Sequence, residues 1–105
     1  MKQLTVTDLK QRLDSGEELL VIDVRQPEEW DMGHIPGAVH IPMGEIPGRL
    51  AESPRDKRVI LQCHHGSRSA QVTHFLEDQG YSDVANLAGG IHAWSAQIDP
   101  SVPLY

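Results

Sequence analysis

Two unbroken apolar runs, Leu19-Leu20-Val21-Ile22 and Val59-Ile60-Leu61, constrain this chain more than any other feature. Neither alternates apolar with polar residues, so each reads as a parallel strand covered on both faces rather than as a strand with one wet side. Strand candidates alternate with helical patterns along the chain, the order expected of an α/β domain with a mainly parallel sheet. In such sheets ligands sit beyond the carboxyl ends of the strands. Here those ends carry Asp23-Val24-Arg25 and Cys63.

The remaining elements follow from period and punctuation. Gln3 to Val6 reads as an edge strand, followed by a helix from about Thr7, whose hydroxyl would cap it, to Ser15, with Gly16 as its stop. The central strand runs from Leu19 to Val24. Gln26 to Gly37 is rich in Pro and Gly and reads as a loop with one helical turn. Ala38 to Ile41 is a third strand, and Pro42 to Glu52 a weak amphipathic helix with Ile46 and Leu50 one turn apart. Arg58 to Gln62 is the fourth strand. Ser67 to Gln79 gives the clearest helical pattern, with Val72, Phe75 and Leu76 on one face and Gly80 at its end. Val84 to Leu87 is a fifth strand, Ala88-Gly89-Gly90 a tight turn, and Ile91 to Gln97 a last helix carrying Trp94. The tail from Asp99 is expected to be irregular.

A chain of 105 residues accommodates one domain, residues 1–105. Its formal charge of −6 with dispersed Lys and Arg argues against nucleic acid, whose phosphates demand clustered cations. No apolar run approaches the roughly 20 residues needed to cross a bilayer. Met1 to Asp8 lacks the apolar core of a signal peptide, which makes the expected location cytoplasmic. One cysteine cannot form an internal disulfide, and a reducing compartment would keep it a thiol.

That cysteine, Cys63, ends the fourth strand and is followed by His64-His65-Gly66-Ser67-Arg68 and then the best helix. A strand that stops at a thiol before a Gly-containing loop and a helix can aim backbone N–H groups and a helix N-terminus at the sulfur. Free cysteine titrates near about 8.5, and such surroundings lower that by roughly one to several units. A thiolate nucleophile facing solvent is therefore expected. Gly66 permits backbone angles closed to other residues, Ser67 can cap the helix, and Arg68 adds a positive charge. The loop reads as a cup for something attached to sulfur.

The segment Cys63-His64-His65-Gly66-Ser67-Arg68-Ser69 resembles the active-site loop of the rhodanese (thiosulfate sulfurtransferase) family, C-x-x-G-x-R-[AST]. Asp23-Val24-Arg25, Glu29-Trp30 and Gly33-His34-Ile35-Pro36-Gly37-Ala38 resemble its upstream signature, and Leu87-Ala88-Gly89-Gly90-Ile91-His92-Ala93-Trp94 its closing one. The resemblance implies a single rhodanese-like domain, a five-stranded sheet flanked by helices on both faces. It also implies double displacement: Cys63 takes the sulfane sulfur of a donor such as thiosulfate, becomes a persulfide, and yields that sulfur to cyanide or a thiol, including a protein thiol. The amides of His64 to Arg68 would hold the added sulfur. Arg68, with His64 and His65 as further candidates, would steer the anionic donor. Neither a general base nor a cofactor is implied.

Other readings are weaker on the same residues. Phosphatases and arsenate reductases use C-x5-R, whereas four residues separate Cys63 from Arg68, a narrower cup. A sulfur carrier or regulatory module of the same fold, acting only with protein partners, remains an alternative. Asp23 reads as a carboxylate that orders the loop by accepting backbone N–H bonds or pairing Arg25 rather than as a general acid, Arg25 and Glu29 likewise as a structural pair, and His34 as a hydrogen-bonding loop anchor. None of the six histidines shows the helical i, i+4 spacing or Cys partner of zinc sites, and adjacent His64 and His65 are expected to point apart. No metal is expected. Trp30 and Trp94 read as packing residues.

Overall fold

A computed structural model describes residues 1–105. Five strands, β1 (Lys2–Leu4), β2 (Leu19–Asp23), β3 (Val39–His40), β4 (Arg58–Gln62) and β5 (Val84–Leu87), form one sheet in the order β1-β5-β4-β2-β3. Every neighbouring pair is parallel. The helices α1 (Val6–Asp14), α2 (Pro27–Asp31) and α3 (Ser67–Asp78) lie in the connections between strands, and α4 (Gly90–Gln97) follows the last strand.

Side chains alternate across the sheet, and both sides are roofed, which is why β2 and β4 are apolar at every central position. On one side Val21 and Ile60 join Leu9 of α1 with Ile91 and Trp94 of α4. On the other, Ile22 and Leu61 join Val72 and Leu76 of α3 and Ile46. Leu9 and Leu76 are fully buried, and each such side chain contributes roughly 1.5–3 kcal/mol.

The register positions the chemistry. β2 pairs with β4 from Leu19 opposite Arg58 to Asp23 opposite Gln62, so both strands finish level. The Val24 N–H then donates to Gln62 O at 3.0 Å, and Cys63 begins one residue beyond the sheet. The sheet therefore delivers the Asp23-Val24-Arg25 turn and the cysteine to one rim.

Three local expectations are corrected. Thr5, not Thr7, caps α1: its Oγ1 accepts from the Asp8 N–H at 3.1 Å, and the helix starts one residue earlier than Thr7. The span from Pro42 to Glu52 is not one helix but two short 3-10 turns, Met43–Glu45 and Pro47–Glu52, because Pro47 has no N–H to continue the first. Ser67 is the first residue of α3 and not its cap. Gly66 takes the cap position at φ 112°, a conformation side chains disfavour.

Candidate active site at the Cys63 loop

Cys63 lies where β4 ends, and its side chain is buried, at 1% exposure, not open to solvent as the sequence reading requires. Its carbon stem packs among Ile22, Val24, Leu61 and Val72. The sulfur is covered by its own loop: Sγ accepts from the Gly66 N–H at 3.1 Å and the Ser69 N–H at 3.4 Å. Ser69 Oγ stands 3.4 Å away. Low exposure here reflects a loop wrapped around a polar atom as well as apolar walls. The donors recorded on Sγ are thus Gly66 and Ser69, whereas the sequence reading assigned the cup to the amides of His64 to Arg68.

A hydroxyl carries one hydrogen, and Ser69 has two claimants for it. Its Oγ also donates to Asn86 Oδ1 of β5, while Asn86 Nδ2 donates to Gly66 O and to Gln3 Oε1, both at 3.1 Å. With Cys63 protonated, S–H can donate to Ser69 and Ser69 to Asn86. With Cys63 ionised, the Ser69 hydroxyl can turn to the sulfur. Asn86 fixes the loop from below, through the Gly66 carbonyl. Sequence reasoning passed over it, although a lone amide inside the run Val84-Ala85-Asn86-Leu87 is the signal that would have found it.

The loop is also stapled to α4. The Ile91 N–H donates to Cys63 O at 2.8 Å and the His92 N–H to His64 O at 3.1 Å. Only glycine allows this approach, because a Cβ on Gly90 would collide with the Cys63 and His64 carbonyls. The glycine pair therefore does more than make a turn.

Arg68 is not a free cation at the mouth. Its Nη1 and Nη2 grip Glu29 at 2.7 and 2.9 Å, a two-pronged pair. Those bonds hold the Glu29 carboxyl down to about 2 and push the Arg68 guanidinium above its ordinary value. The same Glu29 closes the N-terminus of α2, where its Oε1 accepts from the Gln26 N–H at 3.1 Å. It accepts from Tyr105 at 2.8 Å too. The expected Arg25–Glu29 pair is replaced: Arg25 binds Asp23 through Nε and Nη2, with a closest approach of 2.7 Å, and both side chains are wholly buried. Tyr105 OH bridges the two systems, accepting from Arg25 Nη1 at 2.9 Å while donating to Glu29.

Asp23 Oδ1 also accepts from the Arg25 N–H at 3.0 Å, so it orders the turn. His34 Nδ1 donates to Trp30 O at 3.3 Å, and its ring stacks on Trp30 at 3.5 Å. It lies outside the Cys63 contacts. His64 and His65 do not point apart: their ring centroids are 3.9 Å from each other, and His92 comes within 4.8 Å of His65. Burial and then the neighbouring His65 push His64 below the usual imidazole range. His92 was passed over as a site residue, and only the α4 staple reveals it.

Residues 5–97 match the model of the rhodanese-like domain. The chain is a member of the rhodanese-like family. It is similar to the putative sulfurtransferase YtwF of Bacillus subtilis, 40% identical over 95% of this chain and 96% of that protein. The probable adenylyltransferase/sulfurtransferase MoeZ of Mycobacterium tuberculosis is 42% identical over 97% of this chain, which spans only 26% of it. The crystal structure of a rhodanese-like domain protein from Staphylococcus aureus superposes with a TM-score of 0.85, at 40% identity, covering 90% of this chain and 91% of that one. Fold and family thus agree with the resemblance seen in the three motifs. No helix of this rhodanese-like domain is long and apolar enough to cross a membrane.

Proposed function

We propose that this rhodanese-like domain is an enzyme that moves sulfane sulfur, carrying it as a persulfide on Cys63. The observation that carries the reading is the ring of donors on one sulfur: Gly66 N–H, Ser69 N–H and the Ser69 hydroxyl, with α3 opening at the same point. The two amide donors are fixed before the reaction and favour negative charge on sulfur without reorganisation, and the Ser69 hydroxyl joins them by turning from Asn86. The positive end of α3 acts in the same direction.

In the first half-reaction the Cys63 thiolate attacks the outer sulfur of thiosulfate. The S–S bond of the donor breaks, sulfite leaves with its electron pair, and Cys63 holds one added sulfur. In the second, cyanide or a thiolate attacks that outer sulfur and Cys63 leaves as thiolate. Atoms and electrons balance with no cofactor and no general base, and ping-pong kinetics follow. The amides of His64 to Arg68 receive the added sulfur, which extends beyond the buried Sγ toward the mouth. A lone thiol suits a reducing cytoplasm.

A second reading rests on the closed site. None of the surface clefts is lined by residues 63–69. A protein persulfide as donor and a protein thiol as acceptor would supply their own recognition. Steady-state assays of thiosulfate with cyanide and thiosulfate with a dithiol, run beside Cys63→Ser, separate the readings. Turnover lost in Cys63→Ser supports the small-molecule enzyme. Persulfide formation without thiosulfate turnover supports the carrier, and aryl-phosphate hydrolysis lost in Cys63→Ser would replace both with a phosphatase.

A further inference from the structure

Three imidazoles meet at the rim of the Cys63 loop. One ligand nitrogen from each of His64, His65 and His92 can be chosen so that all three lie within 4.8 Å of one another. A tetrahedral ion with metal–nitrogen distances of about 2.0–2.1 Å needs those nitrogens roughly 3.4 Å apart. Side-chain rotation of His65 and His92, both exposed, would close that gap.

The backbone beneath them is already set. His64 and His65 follow Cys63 directly, and the His92 N–H donates to His64 O at 3.1 Å, so α4 cannot drift from the loop. The His64 ring lies flat on Tyr105, with centroids 3.9 Å apart and planes 4° from parallel. His64 Nε2 is buried and has no hydrogen-bond partner. A buried polar atom left unpaired costs free energy, and a ligand that completes the ring's coordination relieves it.

We infer that His64, His65 and His92 form a binding site for one divalent transition-metal ion of the zinc, cobalt and nickel class, separate from the thiol of Cys63. Imidazole nitrogen suits these ions, and the chain offers no carboxylate in the cluster that would favour calcium or magnesium. Three protein ligands leave one position open to solvent, the arrangement of an ion that can exchange a fourth ligand. The inference does not depend on sulfur transfer.

Cobalt(II) titration of the tag-free full chain near neutral pH, followed by visible absorption, tests it. One Co2+ should bind per chain, with ligand-field bands and no thiolate-to-cobalt charge transfer. Cys63→Ser should bind equally well. Changes to groups behind a ligand already cost roughly 10- to 100-fold in affinity, so His92→Ala and His65→Ala, both exposed positions that the fold tolerates, should each weaken binding by about tenfold or more. Absence of saturable binding, unchanged affinity in both histidine variants, or loss of binding in Cys63→Ser would overturn the assignment.

Discussion

Arg25 and Arg68 are each gripped by a carboxylate near the carboxyl ends of the strands, but in different solvents. The Arg25–Asp23 pair is wholly buried, whereas the side chains of Arg68 and Glu29 are 31% and 16% exposed. Breaking a buried pair strands a charge in a poor medium, while a pair that water reaches contributes little to stability. The same chemistry is therefore a foundation in one place and an adjustable rim in the other. Arg25 also ties down Gly33 O at 2.8 Å, which anchors the long loop between β2 and β3. Arg68, on the first turn of α3, joins the Cys63 loop to α2 through Glu29.

The largest expected effect tests the buried member. Arg25→Ala should destabilise the domain by about 3–5 kcal/mol, read as a lower urea midpoint, because Asp23 is left buried and unpaired. A loss below about 1 kcal/mol would mean that water reaches Asp23 and that the contrast is false.

Arg68→Ala should cost no more than about 1 kcal/mol of stability yet impair transfer, since it leaves the Glu29 charge unopposed at the mouth. Its thiosulfate KM should rise roughly fivefold, about 1 kcal/mol. Glu29→Gln sharpens the point, for it frees the guanidinium, and KM should move the opposite way. A rise in both variants would show that the intact pair, rather than the charge facing the donor, matters.

Acid dependence separates the rim from the interior as well. Glu29 is held at about 2 when folded, against an ordinary 4.5, so its contribution to stability is complete above about 4.5 and is lost as the pH falls toward 2. Glu29→Gln should flatten that part of a stability–pH curve. An unchanged acid limb would show that the pair does not form in solution. The last test lies beneath the sulfur. Ser69→Ala removes one of three donors and should slow persulfide formation by several-fold in a single-turnover measurement, with a stability loss of about 1–3 kcal/mol because buried Asn86 Oδ1 loses its donor.

How much of this was legible beforehand depends on whether the cause is local. The bounds of β4 could be read directly, because an unbroken apolar run between Arg58 and Gln62 leaves few choices, and those of β5 because Asp83 and the Ala88-Gly89-Gly90 turn bracket it. Asp23 and Arg25 are two residues apart, so their pairing lay within reach of a sequence reading. Glu29 and Arg68 are 39 residues apart, and only the meeting of α2 with α3 joins them. The α1 cap slipped from Thr7 to Thr5 because two threonines bracket Val6 and both can cap. Asn86 reaches the site through its side-chain amide on Gly66 O, marked only by a lone polar residue in an apolar strand, and His92 through its N–H on His64 O, a contact that leaves no trace in spacing. Tyr105 sits in a tail expected to be irregular, yet its hydroxyl links both arginine systems.

Intact-mass measurement after brief exposure to thiosulfate tests the central claim most directly, because Cys63 must both lie beneath its loop and still react. The account predicts a gain of one sulfur atom, reversed by a dithiol and absent from Cys63→Ser. An adduct that survives in Cys63→Ser, or a wild-type chain that takes up no sulfur from thiosulfate or from a protein persulfide, would contradict it.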